Sequence, residues 1–140
     1  MSRVSAREQD VRLLAQLMRA EAEGDLELGM LMVGNVGVNR VVANCLDFVG
    51  IRTIEQMVFQ SPGGFEAVQH SYFYQPPRER DIRLARQVIR GERYDPATYA
   101  LWFFKPSGSC PPTWYNQQHS GRYKSHCFYI PRQEDCPNVF

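Results

Sequence analysis

Three observations predict an α+β fold for this 140-residue chain. Apolar residues recur at helical spacing through to Arg90. A near-continuous apolar run lies between the first helical patterns. Short aromatic segments separated by prolines and glycines fill the remainder. The chain has no internal repeat and no linker-like stretch, so residues 1–140 read as one domain of a size that buries a real core.

The first helix is predicted over residues 5–23, with Ser5 and Glu8 spaced as a capping box and Gly24 placed to stop it. Val11, Leu14, Leu17 and Met18 form its apolar face. A second helix is predicted from Leu26 or Leu28 to about Val42. It has almost no polar face, which makes it the buried central helix, and Gly34 and Gly37 allow close backbone approach. A short helix over 54–60 ends in the turn signal Ser61-Pro62-Gly63-Gly64, and 65–74 is aromatic and irregular. Pro76-Pro77 introduce a helix over 78–90, with Ile82, Ala85, Val88 and Ile89 on one face and Gly91 beyond its end. Residues 98–104 read as a strand, 105–112 as a turn-rich loop and 123–130 as the final strand.

Composition narrows the function classes. The 44% hydrophobic and 22% charged content is that of an ordinary globular protein, and a formal net charge of +1 provides no footprint for nucleic acid. The N-terminus lacks the apolar core of a signal peptide. The longest apolar stretch, 28–38, is broken by glycines and too short to span a bilayer, so a chain made in the cytosol with no membrane span is expected. Cys45, Cys110, Cys127 and Cys136 allow three complete pairings, while a cytosolic origin predicts free thiols. Their spacings match no zinc motif, even with His119 and His126 counted, and no metal site is expected.

One residue breaks the helical pattern. Glu21 falls about 20° around the helix axis from Leu14, on the apolar face. Glu23 points to the polar side with Arg12, Gln16 and Arg19. A carboxyl group pressed against apolar neighbours favours its neutral form, as a general acid at neutral pH requires, and the nearby helix C-terminus works in the same direction. A buried-face acid followed by Glu23, Asp25 and Glu27 suggests glycosidic bond cleavage. Sugar rings also need flat apolar faces, which Tyr72, Tyr74, Trp102, Phe104, Trp114 and Tyr115 could supply. No serine elbow and no locally activated cysteine is present.

These residues resemble the spore cortex-lytic cell-wall hydrolases of the SleB/CwlJ type. The resemblance rests on Ala20-Glu21-Ala22-Glu23-Gly24-Asp25 leading into a glycine-spaced helix that ends Val38-Asn39-Arg40-Val41. It continues through Gly64-Phe65-Glu66-Ala67-Val68, Arg90-Gly91 and Trp102-Phe103-Phe104 with Pro106, and ends at Ser125-His126-Cys127-Phe128-Tyr129. It implies a lysozyme-like catalytic domain, similar to goose-type lysozyme and lytic transglycosylases, with the essential glutamate at Glu21. The family pattern Gly-Glu-Ala-Arg-Gly-Glu is altered here at Ala20, Glu23 and Asp25.

The chain is most similar to the short CwlJ-type members, which implies synthesis in the mother-cell cytoplasm, retention in the spore coat by a partner protein, and degradation of muramic-lactam-containing cortex peptidoglycan during germination. The chemistry then needs no cofactor, with calcium, as calcium dipicolinate, an activator. Phe65, Tyr74, Trp102, Phe104, Trp114 and His126 are the expected glycan-binding residues, and Asp25, Glu27 and Glu66 the auxiliary acids if water is the nucleophile. Two other readings stand beside this one: a noncatalytic coat component that binds glycan or a partner, and an amidase acting on the stem peptide.

Overall fold

The computed structural model describes residues 2–140. Helix α1 (Glu8–Ala22) buries Val11, Leu14, Leu17 and Met18, the predicted stripe. It starts later than predicted: Arg7 is the N-cap, and its backbone N–H donates to Asp10 Oδ2 at 2.9 Å. A carboxylate three residues beyond the cap does the work assigned to Ser5 and Glu8. Gly24 is not the stop either. The chain makes a single tight turn, Glu23–Asp25, and then Leu26 takes φ 65° to start helix α2 (Leu26–Ala43).

Helix α2 is the core of the molecule, with a buried run from Gly29 to Val41. Gly34 explains how its neighbours come so close: a Cβ there would lie 2.9 Å from the Met18 sulphur of α1 and 2.9 Å from a Val88 methyl. The short helix α3 (Ile54–Val58) carries Met57 into the same core. Val88 belongs to helix α4 (Glu79–Arg90), which ends on Gly91 at φ 115° as predicted. One 18-residue window within Glu8–Ala43 is apolar enough to cross a membrane by composition, yet 78% of it is buried, and α1, α3 and α4 pack around α2 as a core helix.

Two polar side chains one turn apart on α2 organise the segment that connects α4 to the sheet. Asn35 Nδ2 donates to Glu92 O at 2.7 Å, and its Oδ1 accepts from Tyr94 N at 2.8 Å. Asn39 Nδ2 donates to Ala100 O at 2.8 Å, and its Oδ1 accepts from Arg3 Nη1 at 2.8 Å. Both asparagines are fully buried, and they fix the loop that delivers the sheet. Asn39→Ala is expected to destabilise the fold by about 2–3 kcal/mol, because the Ala100 carbonyl stays buried without its donor. Urea unfolding measures this directly.

The sheet is antiparallel in the order β1–β4–β3–β2, from β1 (Trp102–Phe104), β2 (Thr113–Trp114), β3 (Gln117–Tyr123) and β4 (His126–Ile130). Two predicted strands need correction. Residues 98–101 precede β1, because their carbonyls are used by Asn39 and Arg40. The strand predicted over 123–130 is the second half of a hairpin that turns at Lys124 (φ 48°), and the polar sequence of β3 conceals its partner.

The cysteines are paired, Cys45 with Cys136 and Cys110 with Cys127. The expectation of free thiols rests on compartment alone. The fold brings the paired Cα atoms to 5.4 and 5.8 Å, within bridging range.

Candidate active site

The end of α1, the last turn of α2, the segments 46–48 and 63–66 and the sheet enclose a cleft of about 760 Å³. Glu21 projects into it from the last turn of α1. Its carboxyl group is half-buried, and Oε2 accepts one weak bond, from Ala67 N at 3.4 Å. Burial raises its pKa above the usual carboxylate range and nearby Glu66 adds to this. The Ala67 N–H, Arg40 and Lys105 pull the other way without cancelling it. Glu23 has the opposite environment: Tyr72 Oη donates to its Oε1, Arg78 Nη2 lies 2.7 Å from Oε2, and its pKa is lowered, chiefly by the tyrosine hydroxyl.

Arg40 shares the cleft and is not among the sequence-predicted site residues. It is 4% exposed, on a helix with almost no polar face. Its Nε donates to Leu101 O at 2.8 Å and Nη1 to Gly63 O at 3.3 Å. The guanidinium lies over the rings of Phe65 (4.4 Å) and Phe48 (4.8 Å). Burial lowers its pKa to about 9, so it is charged at neutral pH, and no carboxylate pairs with it within 4.0 Å among the described residues. The available signal is an arginine inside the apolar run Val36–Val42. Phe103, Lys105 and Gln117 also line the cleft without having been predicted there.

Of the predicted glycan-binding residues, Phe65, Trp102, Phe104, Trp114 and His126 line the cleft. Phe104 and Trp114 stack at 4.6 Å between ring centroids, and Phe65 stacks on Phe103 at 5.8 Å, giving two flat apolar walls. Tyr115, 81% exposed, stands at the rim. Tyr74 lies elsewhere: its ring packs against Phe73 and its hydroxyl donates to Val68 O at 2.9 Å.

The auxiliary acids separate as well. Glu66 is in the cleft. Glu27 lies outside it and pairs with Arg83 at 3.2 Å. Asp25 is buried under the start of α2, where Gly29 makes room for it, since a Cβ at Gly29 would come within 2.4 Å of the Asp25 Cβ. Asp25 Oδ2 sits 2.7 Å from His126 Nδ1, and Ser125 Oγ donates to the same carboxylate. Burial works to raise the pKa of Asp25, but the bonds from His126 and Ser125 outweigh it and lower the value. Burial lowers the pKa of His126 despite Asp25. The pair is therefore a carboxylate accepting Nδ1–H from a neutral imidazole.

Among the described residues no group of three or more His, Cys, Asp or Glu side chains is arranged to hold a metal ion.

Comparison with known proteins gives a consistent picture. The sequence profile described as Cell Wall Hydrolase matches residues 24–129. "Cell wall hydrolase CwlJ" of Oceanobacillus iheyensis is 64% identical over 140 residues, covering 100% of this chain and 99% of that protein. The "Spore cortex-lytic enzyme" of Bacillus subtilis is 28% identical over 119 residues, covering 85% of this chain and 37% of that protein. The crystal structure of the catalytic domain of the Bacillus cereus SleB protein superposes with a TM-score of 0.71 at 23% identity, covering 92% of this chain and 97% of that one. The shared lysozyme-like fold is thus the predicted α+β architecture.

Proposed function

The chain belongs to the cell wall hydrolase family, and from that membership we propose that it cleaves the glycan strands of spore cortex peptidoglycan during germination, with Glu21 as the general acid. One observation carries the reading: a single carboxyl group with a raised pKa projects into a cleft walled by stacked aromatic rings. Apolar walls accept sugar faces, and the cleft is of the size that holds a small oligosaccharide segment.

In this scheme protonated Glu21 donates to the bridging oxygen between N-acetylmuramic acid and N-acetylglucosamine, and the C1–O bond breaks toward an oxocarbenium-like centre. Arg40 and Lys105 then face the newly formed Glu21 carboxylate and stabilise it. That carboxylate is available to take the proton of the muramoyl C6 hydroxyl, closing a 1,6-anhydro ring. If water attacks instead, Glu66 is the predicted acid that also lines the cleft. Calcium dipicolinate acts in this scheme as an activating signal and a coat protein as an anchor, and neither takes part in the bond cleavage.

Mass spectrometry of fragments released from purified cortex tests the proposal. The expected result is anhydromuramic ends from the wild-type protein and none from Glu21→Gln. Reducing muramic ends would identify a muramidase. Freed muramic carboxyl groups would identify an amidase, and equal cortex breakdown by Glu21→Gln would show that the protein acts by binding and enabling other enzymes.

A further inference from the structure

Closure of an anhydro ring by Glu21 alone asks one carboxyl group to act twice. The cleft contains a second group built to exchange a proton. We propose that His126 is a catalytic residue of this site, its Nε2 taking the proton from the attacking hydroxyl, and that Asp25 and Ser125 are the positioning residues that hold it. The inference rests on the glycan-cleaving reading of Glu21.

His126 is 2% exposed, lies at the start of β4 and lines the cleft. Its Nδ1 is 2.7 Å from Asp25 Oδ2, a buried acceptor that has no proton of its own to offer. Nδ1 therefore carries the ring proton, and Nε2 carries the lone pair. Nε2 has no hydrogen-bond partner among the described residues. The fully enclosed, unpartnered side-chain atoms among the described residues are Gln60 Oε1, Arg80 Nε and His119 Nε2, so His126 Nε2 keeps some accessible surface on a side chain that lines the cleft. Phe103 packs edge-on to the imidazole, with ring centroids 5.2 Å apart, and restrains its plane.

The carboxylate behind the ring is itself held in place. Ser125 Oγ donates to the Asp25 carboxylate at 2.7 Å, and Ser125 N donates to it at 3.3 Å. The carboxylate is thus anchored by both Ser125 groups as it meets the imidazole. Ser125 is not a nucleophile in this arrangement, since its hydroxyl is spent on Asp25 and lies on the Nδ1 side of the ring. The helix break at Leu26 and the bare backbone of Gly29 are what let Asp25 reach under α2 to this point.

The step balances without any other reactant. The attacking oxygen, from water or from the muramoyl C6 hydroxyl, bonds to the anomeric carbon as its proton passes to Nε2. The bond from that carbon to the bridging oxygen breaks, and the bridging oxygen takes the proton of Glu21. Nothing is oxidised or reduced. The enzyme is left with an imidazolium and a carboxylate, and one proton transfer between them through solvent restores it. Asp25 stabilises the imidazolium at the moment it forms.

The charged groups around His126 are Asp25 from the turn between α1 and α2 and Lys105 from the segment after β1. Glu21 from α1, Arg40 from α2, Asp47 and Glu66 line the same cleft. A base must be neutral to act, so His126 sets the acid limb of the pH profile of kcat/KM, and Glu21, which must be protonated, sets the alkaline limb.

The test compares Glu21→Gln, His126→Asn, His126→Gln and Asp25→Asn on purified cortex fragments, with product ends read by mass spectrometry to separate water from the C6 hydroxyl as nucleophile. His126→Asn keeps an N–H for Asp25 and removes only the distal nitrogen. The expected result is a loss of kcat on the order of 10²-fold or more in both His126 variants, with the acid limb abolished. In Asp25→Asn the acid limb moves to lower pH, since the negative charge that favoured the imidazolium is gone. Should Glu21→Gln be inactive while both His126 variants keep wild-type kcat, the inference is overturned and the Glu21 reading survives. A rise in KM alone also overturns it. Full activity of Glu21→Gln would instead overturn the reading beneath it. If the variants do not fold, ¹⁵N NMR of the wild-type imidazole decides: a proton on Nδ1 supports the proposal, and a proton on Nε2 refutes it.

Discussion

Glu21→Gln is expected to lower the rate of glycan cleavage by roughly 10²–10⁴-fold, the usual contribution of a general acid, while leaving the protein at least as stable at pH 7. The two halves of this expectation have one cause. Burial raises the Glu21 pKa in the folded protein above its value in the unfolded chain. A raised folded pKa contributes stability below the unfolded value, near 4.3 for a free glutamate, and that contribution is lost as pH rises through the folded pKa. At pH 7 the wild-type protein therefore keeps a carboxyl group where its charge is poorly solvated. Glutamine removes that cost and keeps the size and the contact with Ala67 N. Thermal unfolding should show the variant at or above the wild-type melting temperature at pH 7, with the advantage shrinking toward pH 4.

Glu23→Gln is the control that separates position from charge. Glu23 sits two residues away and faces Tyr72, Arg78 and Arg19. Its loss should cost less than about 1 kcal/mol of stability, as for other exposed ion pairs, and change the cleavage rate little. A variant series in which Glu23→Gln is the inactive one would remove the basis for assigning the acid to Glu21.

The contrast between these two glutamates is legible in the sequence because helical periodicity places them on different faces before any fold is known. The central helix is legible for the same reason: eighteen residues with almost no polar side have few places to go but the core. What periodicity cannot reveal is partnership across the chain. In the sequence Asp25 looks like a spare acid near Glu21, and only the return of β4, 101 residues later, brings it against His126. Arg40 is hidden for a related reason, since its partners are the backbone carbonyls of Leu101 and Gly63. Strand β3 escapes pattern reading because Gln117–Tyr123 carries its pairing in the backbone and its mostly polar side chains are half-buried or exposed, with no apolar alternation. Tyr74 has the chemistry of a cleft residue, but its position in a tight turn sends the hydroxyl to Val68 O instead.

Replacing Cys45 and Cys136 together by serine is expected to cost about 2–5 kcal/mol of stability and to lower the melting temperature by roughly 7–15 °C. The bridge closes a loop with a sequence separation of 91, far larger than the 17 of Cys110–Cys127. A longer loop surrenders more chain entropy in the unfolded state, so this pair should matter more than the other. Its position adds a second effect. Cys45 lies just beyond α2 and packs with Phe48, Leu101, Cys136 and Val139 in a small cluster of its own. Phe48 is also one of the two rings that hold Arg40, and Leu46 and Asp47 line the cleft wall next to it. Loosening this staple should therefore reduce cleavage at temperatures where the rest of the fold is intact, whereas loss of a remote staple would act through global unfolding alone. Activity and near-UV circular dichroism followed together on heating distinguish the two. Wild-type protein treated with a strong reductant should reproduce the double variant, and a melting temperature indifferent to reductant would show that neither bridge contributes to stability.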